Sequence, residues 1–346
     1  MTGHEKDSLL NATGSRISLR KLQRASILIL LFVLGAVASA KSPTFLTWYN
    51  LVDNLFTNAA AIGIIALGMT FVMIAGGFDL SVAANTAVCS IVLVLTINAL
   101  LPCGSVAAVT VALLLTAIVG IALGAINGTL VAYVGVNPFV VTLSTMFVFR
   151  GFGLILTHGG QSMQIASLTL RRQFTDWLYD FKCPFFGAGC QISMPIIVFI
   201  VLFFIGFYLL RMTRFGHYVY AIGGNEEAAW LAGVNTKLIK ACTYMLCGFT
   251  CAVAGALFLA NATTAEAASH AGKELDVIAA VIVGGTPLGG GSGGLVLTLI
   301  GLILLKVIEN LLTQFNVGAE YRPVVTGLII LVVVTIDVLV NKKTRQ

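Results

Sequence analysis

Residues Leu80 to Phe149 read LSVAANTAVCSIVLVLTINALLPCGSVAAVTVALLLTAIVGIALGAINGTLVAYVGVNPFVVTLSTMFVF, 70 consecutive residues without Asp, Glu, Lys or Arg. In a water-soluble domain about a quarter of residues are charged, so a run of this length excludes one. A helix rises ~1.5 Å per residue and a hydrocarbon core of ~30 Å takes roughly 20 residues. The run and its flank therefore hold spans near 81–101, 105–133 and 138–157. Working outward, further apolar segments lie near 25–40, 55–75, 193–211, 241–261, 275–287, 294–313 and 323–341, which brings the count to about ten. The segment 275–287 is short and ends in Gly284-Gly285, so it is expected to be a broken or re-entrant helix supported by neighbouring protein. The whole chain agrees: of 346 residues 58% are hydrophobic and 10% charged. The expected fold is an all-α polytopic membrane protein. Strands of alternating polarity, which a barrel needs, are not visible. The 36 glycines are too dispersed for a fibre and suit close packing of helices in lipid.

The first 24 residues are polar and carry Lys6, Arg16, Arg20, Lys21 and Arg24 ahead of the apolar run Ala25 to Ala40. Val37-Ala38-Ser39-Ala40 mimics a signal cleavage site. An uncleaved first span is preferred, because the following segments need a starting orientation. Five basic residues before it place the N-terminus in the cytoplasm. Ten crossings return the C-terminus to the same side, and the basic residues follow, 12 inside (with Arg211, Arg214, Lys237, Lys240, Lys342, Lys343 and Arg345) against six outside. The expected organisation is a tail 1–24, a transmembrane permease region 25–341 with a cytoplasmic loop 212–240 and an outer loop 158–192, and a tail 342–346. Asn127 precedes Asn137-Pro138-Phe139-Val140-Val141-Thr142, and Asn310 precedes Arg322-Pro323-Val324-Val325-Thr326. Entered from opposite faces, these two stretches read as an inverted repeat, the device by which many transporters open a central path to alternate sides.

Seven cysteines form no C-x-x-C pair and no cluster with histidine, so neither a metal site nor a redox motif is expected. Cys183 and Cys190 bracket a polar connection; both a small disulfide and two free thiols are compatible with it. His4, His158, His217 and His270 are scattered, which argues against a membrane enzyme and leaves no catalytic residue to name. The net charge of +6 resides at membrane ends rather than on one face and implies no nucleic acid.

The longest cytoplasmic connection contains Tyr220-Ala221-Ile222-Gly223-Gly224-Asn225-Glu226-Glu227-Ala228-Ala229-Trp230-Leu231-Ala232-Gly233. Asn225 suits an N-cap, Glu226 and Glu227 suit the positive end of the helix dipole, and Gly233 suits the stop. The spacing predicts a short surface helix. A plain linker has no need of a small-residue helix with one Trp between glycines, so a docking role is expected.

Glu227-Ala228-Ala229 with Gly233 four residues on resembles the E-A-A-x-x-x-G loop of permease subunits of ATP-binding-cassette importers. In that family the loop is the coupling helix seated in a cleft of the ATPase subunit, which implies coupling roles for Gly223, Asn225, Glu227, Ala228, Ala229 and Gly233. Gly76-Gly77-Phe78-Asp79-Leu80-Ser81-Val82 is similar to the G-G-I-D-L-S-V segment of ribose-type monosaccharide permeases, and Glu274 to Val281 with Gly284-Gly285-Thr286 and Gly290-Gly291 resembles the same branch. The blocks stand in the family's order and, with the hydropathy, cover nearly the whole chain. Phe78 departs from the usual Ile, Ala83 from Gly, Ser292 from Arg, and Pro287 and Gly289 from serines, which leaves the sugar open. The resemblance implies an assembly of two permease copies, two ATPase domains and a periplasmic sugar-binding protein in the bacterial inner membrane. No G-x-x-x-x-G-K-[ST] phosphate loop is present, since Gly272-Lys273 is followed by Glu274 and lacks the first Gly. ATP hydrolysis is thus assigned to the partner, and no cofactor is expected on this chain.

For the path of a sugar the candidates are Asp79, Asn127, Phe149, Arg150 and Asn310, polar or aromatic groups within or beside spans. Each has a structural alternative. Asp79 with Ser81 reads as a helix cap, Phe149 as packing, and Arg150 as a side chain reaching the interface. Lys306 and Glu309, three apart, read as an ion pair. A secondary, ion-coupled carrier is the alternative function, weakened because such carriers need an ionisable relay inside their spans.

Overall fold

The structure, a computed structural model, describes residues 31–33, 35–184, 191–315 and 317–321, with isolated positions 324, 325, 327, 328, 331 and 335 beyond them. The basic N-terminal tail, Cys190, Pro323, most of the expected span 323–341 and the C-terminal tail lie outside the described residues, and with them the pairing state of Cys183 and Cys190 and the Arg322, Pro323 and Thr326 positions of the expected inverted repeat.

The described chain is helical. An apolar helix α1 (Leu31–Lys41) leads to a π-helical turn, Tyr49–Phe56, that runs without a break into α2 (Thr57–Ile74). A hairpin of α3 (Val82–Leu100) and α4 (Ser105–Thr129) follows, opened at Gly104, whose φ of +104° an L side chain rarely adopts. α5 (Pro138–Leu156) starts on Pro at its first position, and Asn137 caps it by accepting from Phe139 N–H at 2.9 Å. Beyond it come α6 (Leu168–Thr175) and a two-stranded hairpin, β1 (Lys182–Pro184) with β2 (Gln191–Ser193), in the register Lys182 opposite Ser193. The chain continues through α7 (Met194–Met212), α8 (Arg214–Gly224), α9 (Glu226–Leu231), α10 (Thr236–Ala262), α11 (Lys273–Val283) and α12 (Leu295–Gln314).

Seven of these helices are long and apolar enough to cross a membrane, so the expected count of about ten is not reached among the described residues. The difference has three sources. The segment at 25–40 is described only in part, the one at 323–341 lies mostly outside, and 275–287 carries an 11-residue helix, about 16 Å long and too short to cross alone. Gly284 and Gly285 end α11, and residues 284–294 continue as a loop to the end of the bundle where α8 lies.

α2 is the axis of the bundle, with every residue but Asn58 buried, whereas α7 on the outside buries Pro195, Gly206 and Leu210 alone. α10 packs against α2 on one side and α4 on the other, and its contact with α4 is made by glycines. A Cβ on Gly120 would lie 2.4 Å from the Gly248 carbonyl oxygen, one on Gly124 2.3 Å from that of Tyr244, and one on Gly128 2.8 Å from that of Ala241. Glycines spaced by four share one helix face, so the backbones meet without intervening side chains. The glycines at 120, 124, 128 and 248 thus have the close-packing role expected from the composition. Lys306 and Glu309 form the expected ion pair, at 2.6 Å.

Candidate functional site

At the end of α7 the chain reverses sharply. Thr213 caps α8, and Gly216 sits so close to α7 that a Cβ would lie 2.1 Å from the Leu210 carbonyl oxygen. α8 buries Val219 beside Phe71, Ile74, Leu210 and Leu295, and Ile222 is buried one turn on, which fixes the helix across the end of the bundle. Sequence patterning gave no separate signal for this helix, because its buried face is completed by residues of α7 and, distant in the chain, of α2, α10 and α12. Asn225, in extended backbone, closes α8 and caps α9 by accepting from Ala228 N–H at 2.9 Å. Gly233 ends α9 with φ +83°, its N–H reaching Trp230 O at 2.9 Å while Val234 N–H reaches Ala229 O at 3.1 Å.

The short α9 therefore has two faces. Ala229 is turned inward and is 5% exposed, while Trp230 at 64% and Leu231 at 72% project outward with Glu227 and Ala228. The capped helix thus holds two large apolar side chains outward from the bundle. Glu226 pairs with Lys240 of α10 at 2.5 Å, tying the hairpin to the next span.

Gly223 is the point at which this hairpin meets the core. A Cβ there would lie 1.7 Å from Ile74 O and 2.5 Å from Gly291 N. Ile74 O is among the last carbonyls of α2, which have no partner within their own helix; it accepts from Gly291 N–H at 2.8 Å. Tyr220, one turn earlier on α8, donates its hydroxyl to Gly293 O at 3.0 Å.

Five residues past Ile74, Asp79 is fully buried. Its Oδ1 accepts from Ser81 N–H at 2.8 Å and from Ser81 Oγ at 2.6 Å, and Asn127 Nδ2 of α4 reaches its two oxygens at 3.3 and 3.2 Å. Burial pushes the carboxyl above its ordinary range, while the hydrogen bonds from Ser81 and Asn127 hold it partly down. Tyr244 of α10 donates to Phe78 O at 3.3 Å. Asp79 bonds Ser81, the residue that precedes α3, rather than an N–H of α3 itself, which has no side-chain cap, and the network joins the α2–α3 turn to α4 and α10.

The five residues considered for a solute path do not meet in one place. Asp79 and Asn127 are bonded to each other. Phe149 is buried against Ala84 and Val88 of α3. Arg150 lies 12 residues into α5, about 18 Å from its start, and its Nε and Nη2 are buried with no hydrogen-bond partner. Asn310 exchanges amide hydrogen bonds with Asn50 at 2.9 and 3.2 Å near the opposite end of the bundle. Asn50, Tyr220 and Tyr244 went unread in the sequence, since nothing local distinguishes them. Among the described residues no group of three His, Cys, Asp or Glu is placed to hold a metal.

The model of the family described as branched-chain amino acid transport system / permease component matches residues 51–334. The ribose import permease protein of Escherichia coli (strain K12) is 37% identical over 328 residues, covering 93% of this chain and 95% of that relative. The ribose import permease protein of Bacillus subtilis (strain 168) is 37% identical over 319 residues, 91% of this chain and 93% of its own. The D-allose transport system permease protein of Escherichia coli (strain K12) is 29% identical over 313 residues, 90% of this chain and 91% of its own. No solved structure matches the chain. A family match over most of the chain, relatives aligned nearly end to end and a multi-pass helical bundle agree, and the chain belongs to this family of transport-system permease components.

Proposed function

We propose that this chain is the membrane-spanning permease subunit of a bacterial ATP-binding-cassette importer that carries a monosaccharide or related polyol inward. The observation that carries the solute class is the 37% identity, over 93% of the chain, to a protein named for ribose import. α9 supplies the mechanical part. It is a capped rod with an exposed apolar edge, fixed to the bundle through Gly223 and through the Glu226–Lys240 pair. A separate ATPase subunit grips that edge and hydrolyses ATP, and a periplasmic sugar-binding protein delivers the solute to the opposite end.

In this reading the chain crosses the inner membrane ten times with both termini in the cytoplasm. The broken span 273–294 and the segments at 25–40 and 323–341 add to the seven helices, and two copies enclose the path. Gly223, Asn225, Glu227, Ala228, Ala229 and Gly233 act in coupling. Glu227 and Ala228 face the partner, whereas Gly223, Asn225, Ala229 and Gly233 shape the rod from within. Arg150 and Asn127 are the strongest candidates for solute hydroxyls, since Arg150 Nε and Nη2 and Asn127 Oδ1 are buried polar atoms without partners.

Reconstitution tests the proposal. Proteoliposomes holding the permease, its ATPase and the binding protein accumulate ribose when ATP is supplied and do not when the ATPase is omitted. Accumulation under a proton gradient without the ATPase would replace this reading with an ion-coupled carrier.

A further inference from the structure

The broken span offers a specific route for movement. The loop from 284 to 294 contains five glycines with positive φ, at 285, 290, 291, 293 and 294. A glycine-rich segment is soft, and a soft segment delivers a displacement only where it is clamped. Here the clamps lie at one place. Gly291 N–H binds Ile74 O at 2.8 Å and Tyr220 Oη binds Gly293 O at 3.0 Å. Gly290 lies against Gly76, where a Cβ would be 2.7 Å from its Cα. Beyond the loop, α11 and α12 touch backbone to backbone: a Cβ on Gly284 would be 2.3 Å from Leu297 O, and one on Gly301 2.2 Å from Ala280 O. Two helices in such contact move as one body.

We propose that Tyr220 is a positioning residue which, with the Gly223–Ile74–Gly291 junction, fastens the α8–α9 hairpin to the broken span, so that displacement of α9 is carried to the α11–α12 pair. The inference rests on α9 being the ATPase-gripped element and adds the element that receives the motion. α8 has other neighbours, but among the described residues Tyr220 is where a side-chain hydroxyl of the hairpin reaches the loop that separates α11 from α12.

Two measurements test it on the complete importer in nanodiscs, with solvent-reachable native cysteines replaced by serine. Spin labels are placed at Gly224 and Gly289, where a side chain meets nothing within 4 Å, and at Val106, 82% exposed on α4. Between nucleotide-free and ATP-bound states, the 224–106 distance changes while the 224–289 distance stays fixed. In parallel, Tyr220→Phe keeps ATPase binding and hydrolysis but lowers sugar moved per ATP by about fivefold, the worth of one hydrogen bond. A loss of folding alone would lower both rates together and leave their ratio unchanged. If 224–289 changes as much as 224–106, or if Tyr220→Phe transports at the native ratio, the proposal is overturned while the coupling reading survives. If neither distance changes in a complex that hydrolyses ATP, both fall.

Discussion

Replacing Gly223 by alanine is the sharpest perturbation available, because its neighbour provides an internal control. In helix interiors Gly→Ala is ordinarily favourable by about 1 kcal/mol; at Gly224, the last residue of α8, an added Cβ meets nothing within 4 Å and no steric cost is expected. At Gly223 the same methyl group would stand 1.7 Å from Ile74 O, whereas a carbon–oxygen contact needs about 3.3 Å, so α8 and the end of α2 must part by roughly 1.6 Å. Both groups are backbone, so no rotamer change relieves the clash, and forced separations of this kind cost about 1–3 kcal/mol. The separation also lengthens the bond from Gly291 N–H to Ile74 O, now 2.8 Å, and removes the seat of the hairpin. If that free energy is drawn from the coupling equilibrium, coupling weakens roughly 5- to 150-fold. The assay is ATP-driven ribose uptake by proteoliposomes containing all three components, with ATPase co-purification and detergent melting as controls. Gly223→Ala is expected to retain the ATPase but lose at least fivefold in uptake per ATP, and Gly224→Ala to behave as the native chain. Native uptake by Gly223→Ala, or an equal loss in Gly224→Ala, refutes the steric argument.

Four further outcomes are expected. Asn225→Ala removes the α9 cap at a cost of about 1 kcal/mol and weakens ATPase binding in a pull-down titration, whereas Asn225→Asp preserves it. Gly248→Ala, whose Cβ would lie 2.0 Å from Gly120 O, lowers the melting temperature of the purified permease, the overpacking cost being about 1–3 kcal/mol. Glu309→Leu alone strands Lys306, whose side chain is 7% exposed, and destabilises by about 3 kcal/mol, while Lys306→Met with Glu309→Leu restores most of the loss; differential scanning fluorimetry separates the two. His270, stacked on Phe258 with ring centroids 4.2 Å apart, is held down to about 4 by burial and then by Lys273. Its neutral form is therefore favoured by the fold. The contribution is complete above the ordinary value near 6.5 and is lost as pH falls through 4, amounting to about 3 kcal/mol. His270→Phe should flatten melting temperature between those pH values, and an unchanged acid limb would show that other groups govern it.

What the sequence made legible was local. Asn137 and Pro138 start α5, Asn225 starts α9 and Gly233 ends it, because a cap or a left-handed residue acts within a few positions of itself. Expected limits of 105–133 and 294–313 stand beside Ser105–Val134 and Leu295–Gln314, since span length is imposed by hydropathy alone. The short segment near 275 showed its shortness, but not that residues 284–294 carry it onward, because that course depends on contact with Ile74 and Tyr220. Candidate site residues were harder still. Asp79 and Asn127 are 48 residues apart and meet only through the α3–α4 hairpin. Asn310 finds Asn50 across 260 residues. Arg150 drew notice as a lone charge, and its orphaned nitrogens show why no partner could be read beside it.

Glycine serves two opposed purposes in this chain, and composition alone merges them. Along α4 and α10 the residues at 120, 124, 128 and 248 are helical, and their missing side chains allow backbones to lock at distances that any methyl group would break. At 285, 290, 291, 293 and 294 the backbone itself takes positive φ, and the segment bends where no other residue would follow. The locked set joins α4 to α10, while the bending set occupies the interruption between α11 and α12 and lies against α8. In the proposed coupling, a displacement at α9 meets a locked α4–α10 pair on one side and, on the other, a compliant loop leading to the equally locked α11–α12 pair. Compliance without attachment would absorb the motion, which is why the hydrogen bonds at Gly291 and Gly293, rather than the glycines as such, decide whether movement of the surface helix reaches the interior of the bundle.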